Sequence, residues 1–186
     1  MKTYIGLVGE KGSGKDTFAH MLTGFLAHKT VGHIKSSDLL AETLKLWGLP
    51  FTRSNLQEIA IVLDKGFGAG TVTQGVYEKM KNDPSDVIIF DGIRWNTDVE
   101  MLRMFENNIL IYITAPIQMR YERTKLRNEK MDESMTSIEQ FISEEKVSTE
   151  LEIPRIGKSA DVTIINDGTL EDLQAQVKEF CVRISS

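Results

Sequence analysis

The chain has 186 residues and a mass of 21.0 kDa, with 41% hydrophobic and 26% charged residues, a composition that excludes disorder, collagen-like repeats and coiled coil. Area scaling lets a chain of this mass expose about 9,000 Å² when folded and bury about 70% of its extended surface, so the core needs neither metal nor disulfides. Lys plus Arg number 22 against 27 Asp plus Glu, a net charge of −5, which argues against a nucleic-acid partner and makes any phosphate site a local one.

Strand-length apolar runs alternate with stretches of helical period. In chain order they predict a strand over Tyr4–Val8, a helix over Thr17–Ala27, a strand at His33–Ile34, helices over Asp38–Trp47 and Leu56–Leu63, and a strand over Val87–Phe90. A helix over Val99–Phe105, a strand over Ile109–Thr114, helices over Gln118–Arg127 and Ile138–Val147, a strand over Val162–Ile165 and a helix over Leu170–Ile184 complete the series. The strands are continuous and β-branched, as strands covered on both faces are. Ser54 with Gln57, Thr97 with Glu100 and Ser137 with Gln140 have capping-box spacing, while Gly48–Leu49–Pro50 and Asn82–Asp83–Pro84 are breaks. This order predicts an α/β fold of three layers, a five-stranded parallel sheet flanked by helices. No linker divides residues 1–186, but two helical insertions stand out, 36–83 and 120–158, where an acceptor-binding arm and a lid would sit.

Cys181 has no partner for an internal disulfide and reads as a small buried hydrophobe, and the run Ile5–Val8 is too short for a signal peptide or a membrane span. A cytoplasmic protein is expected, with no membrane partner and the oligomeric state left open.

The segment Gly9-Glu10-Lys11-Gly12-Ser13-Gly14-Lys15-Asp16-Thr17 follows the first strand and opens the first helix. It matches GxxxxGK in the context that a phosphate loop requires. Glycines let backbone N–H groups turn inward around an anion, the helix N-terminus adds its positive end, and Lys15 supplies a charge for the β- and γ-phosphates. The plainer alternative is a glycine-rich turn with an exposed lysine. The position after Lys15, where the broad motif has a hydroxyl that binds Mg²⁺, is Asp16, and the hydroxyl follows at Thr17. ATP and Mg²⁺ are the expected cofactors, the metal held mainly through water.

Asp91-Gly92-Ile93-Arg94 leaves the carboxyl end of a buried strand, where open parallel sheets bind ligands. Asp91 could orient metal waters or the attacking oxygen, and the Arg94 fork could hold a second phosphate; a turn cap and a surface ion pair are the structural alternatives. Arg120, Arg123 and Arg127, spaced to share a helix face, are either a solvated stripe or cations for the transferring group. Ser37 and Asp38, as acceptor contacts or helix caps, and Arg53 belong to the acceptor arm. His20, His28 and His33 lack metal-ligand spacing, and Trp47, Trp95, Met101 and Met104 read as packing residues.

Lys-Asp-Thr after the loop glycine resembles the nucleoside monophosphate kinase superfamily, and "GSGKDT" resembles viral deoxynucleoside monophosphate kinases; the resemblance implies that Thr17 touches the nucleotide α-phosphate. "DGIR" is similar to the adenylate kinase segment whose arginine binds the acceptor phosphate, which implies that role for Arg94. "NDGTLEDL" resembles the tail of dephospho-CoA kinases, which implies that the loop with Asn166 and Gly168 lies against the donor adenine. Over nearly its whole length the chain resembles an archaeal group of P-loop proteins described as dephospho-CoA kinase-like or adenylate kinase-related, on "GxxGSGK" at 9–15, "SDLLAETLKLWGLPFTRSNLQEIA" at 37–60, "DGIR" at 91–94, "RYER" at 120–123 and "ADVTIINDGTLEDL" at 160–173. The expectation is a P-loop kinase that moves the γ-phosphoryl group of ATP to a small phosphorylated acceptor, first a (deoxy)nucleoside monophosphate, with dephospho-CoA as the alternative. A nucleotide-binding switch without transferase activity stands as a reading from another class.

Overall fold

A computed structural model describes residues 2–127, 137–146 and 151–185. Five parallel strands, β1 (Thr3–Val8), β2 (Val31–Lys35), β3 (Val87–Ile93), β4 (Asn108–Thr114) and β5 (Val162–Ile165), lie in the order β2-β3-β1-β4-β5. Between them run α1 (Lys15–Phe25), α2 (Ser36–Leu46), α3 (Arg53–Phe67), α4 (Thr71–Asn82), α5 (Asn96–Arg103), α6 (Ile117–Arg127), α7 (Ile138–Glu144), α8 (Ile153–Gly157) and α9 (Leu170–Ser185). The predicted three-layer parallel sheet is the observed one.

Both faces of the sheet are covered, for the reason the continuous apolar strands suggest: successive side chains serve opposite layers. Ile5, Leu7, Ile89, Ile111 and Ile113 pack with Phe18 and Leu22 of α1 and Val177 and Phe180 of α9. Ile88, Phe90 and Leu110 pack with Val76 and Met80 of α4, Met101 and Leu102 of α5 and Ile153 and Ile156 of α8. Cys181 is buried in the first of these clusters, and burial pushes its thiol up from its ordinary value. Among the described residues no helix is long and apolar enough to cross a membrane.

Several boundaries differ from expectation. α3 starts at Arg53 because Thr52, not Ser54, caps it by accepting the Asn55 N–H at 3.1 Å. It runs past the predicted end at Leu63, through Gly66 to Phe67. α5 starts earlier than Val99, and the acid that caps it is Asp98, not Glu100. Ser137 does cap α7 through the Gln140 N–H at 3.2 Å. α4 was not expected as an element because its polar residues dilute a stripe of Val72, Val76 and Met80, all buried. Those contacts make α4 part of the core layer, so the arm that projects from the sheet is essentially α2 and α3. Trp47 and Met104 are exposed rather than packed, 72% and 68%; each stands at the C-cap of its helix, beyond the last core residue.

Candidate active site

Residues 9–14 join β1 to α1, and three neighbouring elements determine their path. A Cβ on Gly9 would stand 2.4 Å from the Ile113 carbonyl of β4, one on Gly12 2.4 Å from the Arg120 carbonyl of α6, and one on Gly14 2.2 Å from Asn166 Nδ2. Gly12 and Gly14 also take left-handed backbone, φ 77° and 92°, which side-chain-bearing residues rarely adopt. Gly14 is the N-cap of α1 and carries no capping side chain. The helix dipole has its positive end at this uncapped turn, which favours an anion.

The loop is fastened from outside. The Asn166 amide donates to the Ser13 carbonyl at 2.8 Å, and the Asn166 backbone N–H donates to Thr114 at 2.8 Å. Arg123 donates to the Asn166 carbonyl at 2.9 Å. Arg120 is buried; its guanidinium donates to the carbonyls of Ala115 at 2.9 Å and Lys11 at 3.3 Å and pairs with Glu145. The Tyr112 hydroxyl donates to Glu10 under the loop, and burial together with that carboxylate pushes the phenol up to about 12.

Of the predicted arginines, then, Arg120 and Arg123 are engaged in holding the phosphate loop and the Asn166 turn, and they do not form a free stripe. The side chains of Arg127 and Arg53 lie outside the described part of the structure. Lys11 is half-buried, its ammonium 5.5 Å from the Phe141 ring centre.

Asp91 is at the centre of the charged groups. Parallel pairing sets Lys35 of β2 opposite Asp91 of β3, and α1 delivers Lys15 from the other side. Lys15 Nζ lies 2.5 Å from Asp91 Oδ1, and Lys35 Nζ lies 3.1 Å from Asp91 Oδ2 and 2.7 Å from Asp16 Oδ1. Against the pull of burial, the hydrogen bonds and charges of Asp16 and Asp91 raise the Lys35 ammonium. His33, on the same strand face, has Nε2 3.7 Å from Asp91 Oδ2; burial lowers its imidazole against the opposing pull of Asp91. The Asp91 side chain is 1% exposed, so this array is a sequence of alternating charges around one buried carboxylate.

The turn after β3 is held by a residue that the sequence reading passed over. Asp98 is buried, accepts the Thr73 hydroxyl at 2.8 Å and the N–H groups of Arg94 at 3.0 Å and Trp95 at 3.2 Å, and is raised by burial. It fixes the backbone from which half-buried Arg94 projects. Its signal was an acid four residues after Arg94, in a helix's first turn. Lys35 and His33 carried no local signal, since only strand pairing brings them to Asp91.

Two cavities are lined by neighbouring loops and helices, neither of them by Asp91 or the lysines that pair with it. One of about 340 Å³ brings together Gly12, Gly14, Thr17, Arg123, Asn166 and Gly168, residues from three distant stretches of chain. The other, about 320 Å³, opens between the arm and α5 and is lined by Asp64, Thr73, Trp95, Asn96 and Glu152. Trp95 is half-buried at that cavity and not enclosed in the core. Ser37 and Asp38 are exposed on the first turn of α2, directly after Lys35.

Comparison with known proteins adds the fold's relatives. No family model matches the chain. A shikimate kinase from Acinetobacter baumannii, solved with shikimate, superposes with a TM-score of 0.58 at 17% identity, over 99% of this chain and 95% of that one. The fold is that of the P-loop kinases. A shikimate kinase from Bacteroides thetaiotaomicron gives a TM-score of 0.57 at 13% identity over 99% of each chain. In sequence, the chain is 28% identical over 180 residues to a UPF0200 protein of Sulfurisphaera tokodaii, spanning 97% of this chain and 96% of the relative.

Proposed function

We propose that the protein is an ATP-dependent phosphotransferase that moves the γ-phosphoryl group to a small phosphorylated acceptor, a (deoxy)nucleoside monophosphate. The observation that carries this reading is the loop of residues 9–14 delivering Lys15 onto the buried Asp91 beside an uncapped helix N-terminus. Such a site needs no covalent nucleophile, because phosphoryl transfer is governed by positioning and by neutralising charge on the transferring oxygens. The loop amides and Lys15 would hold the β- and γ-phosphates. Thr17, Asn166 and Gly168 would take the nucleoside end in the 340 Å³ cavity, and Arg94, on the turn that Asp98 fixes, would hold the acceptor phosphate. Arg120 and Arg123 serve by keeping the loop in shape.

The donor set suits Mg²⁺. Asp16 and Asp91 already converge on one cationic group, at 2.7 and 3.1 Å, and magnesium is commonly bound by one or two carboxylates with substrate phosphates and waters completing its shell. The ion would supply positive charge to neutralise the phosphate oxygens. Asp91 and Thr17 would hold it in this reading.

A coupled assay of ATP consumption against nucleoside monophosphates, dephospho-CoA and shikimate tests the proposal. Turnover is expected with a monophosphate, and Lys15→Met is expected to reduce it by about 10³-fold, the scale of losing a charge-stabilising group in transfer. Full activity in Lys15→Met would refute it. Turnover only with dephospho-CoA or shikimate would keep the phosphotransferase and replace the acceptor.

A further inference from the structure

The charges around Asp91 are divided between two sides. Lys15 approaches Oδ1 from the phosphate loop on β1, and Lys35 approaches Oδ2 from β2. Because β3 lies between β1 and β2, the two ammonium groups stand on opposite flanks of one carboxylate. Lys35 is the last residue of β2 and α2 begins at Ser36, so Lys35 stands where the acceptor arm leaves the sheet. A phosphate loop needs one lysine for its donor; the second has no donor-side task.

The residue that holds Lys35 is the one that departs from the common phosphate-loop pattern. Asp16 sits in the first turn of α1, its carboxylate 2.7 Å from Lys35 Nζ. A serine or threonine there would be too short and uncharged to do this. An ammonium has three N–H donors; Lys35 donates to Asp16 at 2.7 Å and stands as an ion pair 3.1 Å from Asp91 Oδ2. The Lys35 side chain keeps 32% of its surface exposed, and Asp16 52%, so an anion can reach the ammonium from solvent while the buried Asp91 keeps it in place.

We infer that Lys35 is an acceptor-side anion-binding residue and that Asp16 is its positioning residue, aiming the ammonium across Asp91 at the group that receives the phosphoryl. This rests on the phosphotransferase reading above and deepens it: the acceptor is an anion held by Lys35 on the β2 flank.

Adenosine 5′-pentaphosphate separates the two flanks without requiring the acceptor's identity, since it shares ATP's donor end and carries two further phosphates past the γ position. Calorimetric affinities for ATP and for the pentaphosphate, both with Mg²⁺, are measured in the wild type, Lys35→Met, Lys35→Arg, Asp16→Asn and the Asp16→Asn/Lys35→Met pair. The wild type should bind the pentaphosphate at least about tenfold more tightly than ATP, as expected for added charge-assisted contacts. Lys35→Met should remove that advantage while leaving ATP affinity within about twofold, and Lys35→Arg should restore most of it. Asp16→Asn should weaken the advantage, and the ratio of pentaphosphate to ATP affinity in the double variant should equal that in Lys35→Met alone, the sign of two residues acting as one unit. Equal losses of ATP and pentaphosphate in Lys35→Met would overturn the acceptor-side assignment, as would no loss of either. Independent, additive effects would overturn the role of Asp16. A wild type that binds ATP but gains nothing from the extra phosphates would refute this inference and leave the donor site standing; one that binds neither would remove the phosphotransferase reading itself.

Discussion

The phosphate loop and the arm of α2 and α3 use similar residues to opposite ends. Around the loop, Gly9, Gly12 and Gly14 each have a neighbour's atom within 2.4 Å of where a Cβ would stand, so tertiary packing allows the backbone one path. In the arm, Gly48 has positive φ, 66°, but open space around it. There Leu46, Trp47, Phe51 and Phe67 expose 70–83% of their surface, and the fifteen-residue α3 contributes nothing to the two buried clusters. The loop of residues 9–14 is pre-formed and the arm is lightly held, which under the proposed function are the donor and acceptor sides. Segments with few buried apolar contacts belong to the low-stability end of a fold, from which moving binding elements are drawn.

The widest gap between the regions is expected in stability. Phe90→Ala beneath the site should lose about 3–5 kcal/mol in denaturant unfolding, the cost of deleting a buried aromatic, whereas Trp47→Ser in the arm should stay within about 0.5 kcal/mol. Comparable losses would mean that the arm packs as tightly as the core. A smaller contrast is expected between glycines. Gly12→Ala should cost about 1–3 kcal/mol from backbone strain and abolish ATP binding, since the Arg120 carbonyl blocks the added carbon. Gly48→Ala pays for its left-handed backbone alone and should leave ATP affinity unchanged.

The smallest effect concerns pH. His33 is lowered in the folded protein, so below its unfolded value of about 6.5 the unfolded chain binds the proton more readily. Stability should therefore decline as pH falls from 7 through the folded value, and His33→Gln should flatten that part of the profile measured by thermal unfolding. Parallel profiles for the two proteins would show that His33 keeps an ordinary value.

What could be read in the sequence is what local spacing encodes. The glycine loop, Lys15 and the helix start occur within 9–17, directly after the first strand, and Asp91 lies near the end of its own, two residues short of Ile93, so both halves of the Lys15–Asp91 contact were visible even though their meeting was not. Lys35 reaches Asp91 through the β2–β3 register, in which residues 56 positions apart pair, and no periodicity within either strand contains that information. The same holds for Glu145, whose partner Arg120 is turned beneath the loop by α6 resting on Gly12. Spacing placed Arg120 and Arg123 on one face correctly in principle; it could not say that this face is the one pressed against the phosphate loop. Trp47 misled because residue type predicts burial only where the helix still faces the sheet, and α2 makes its last core contact at Leu44.

The central claim, that residues 9–15 form a triphosphate cradle closed by Lys15, is tested most directly by thermal unfolding with and without Mg·ATP. At a ligand concentration about 100 times Kd, binding to the folded state adds about 2.7 kcal/mol, which for a chain of this size raises Tm by about 5–10 °C. The account predicts that rise in the wild type and its near-absence in Lys15→Met. No rise in the wild type, or an equal rise in both proteins, would contradict it.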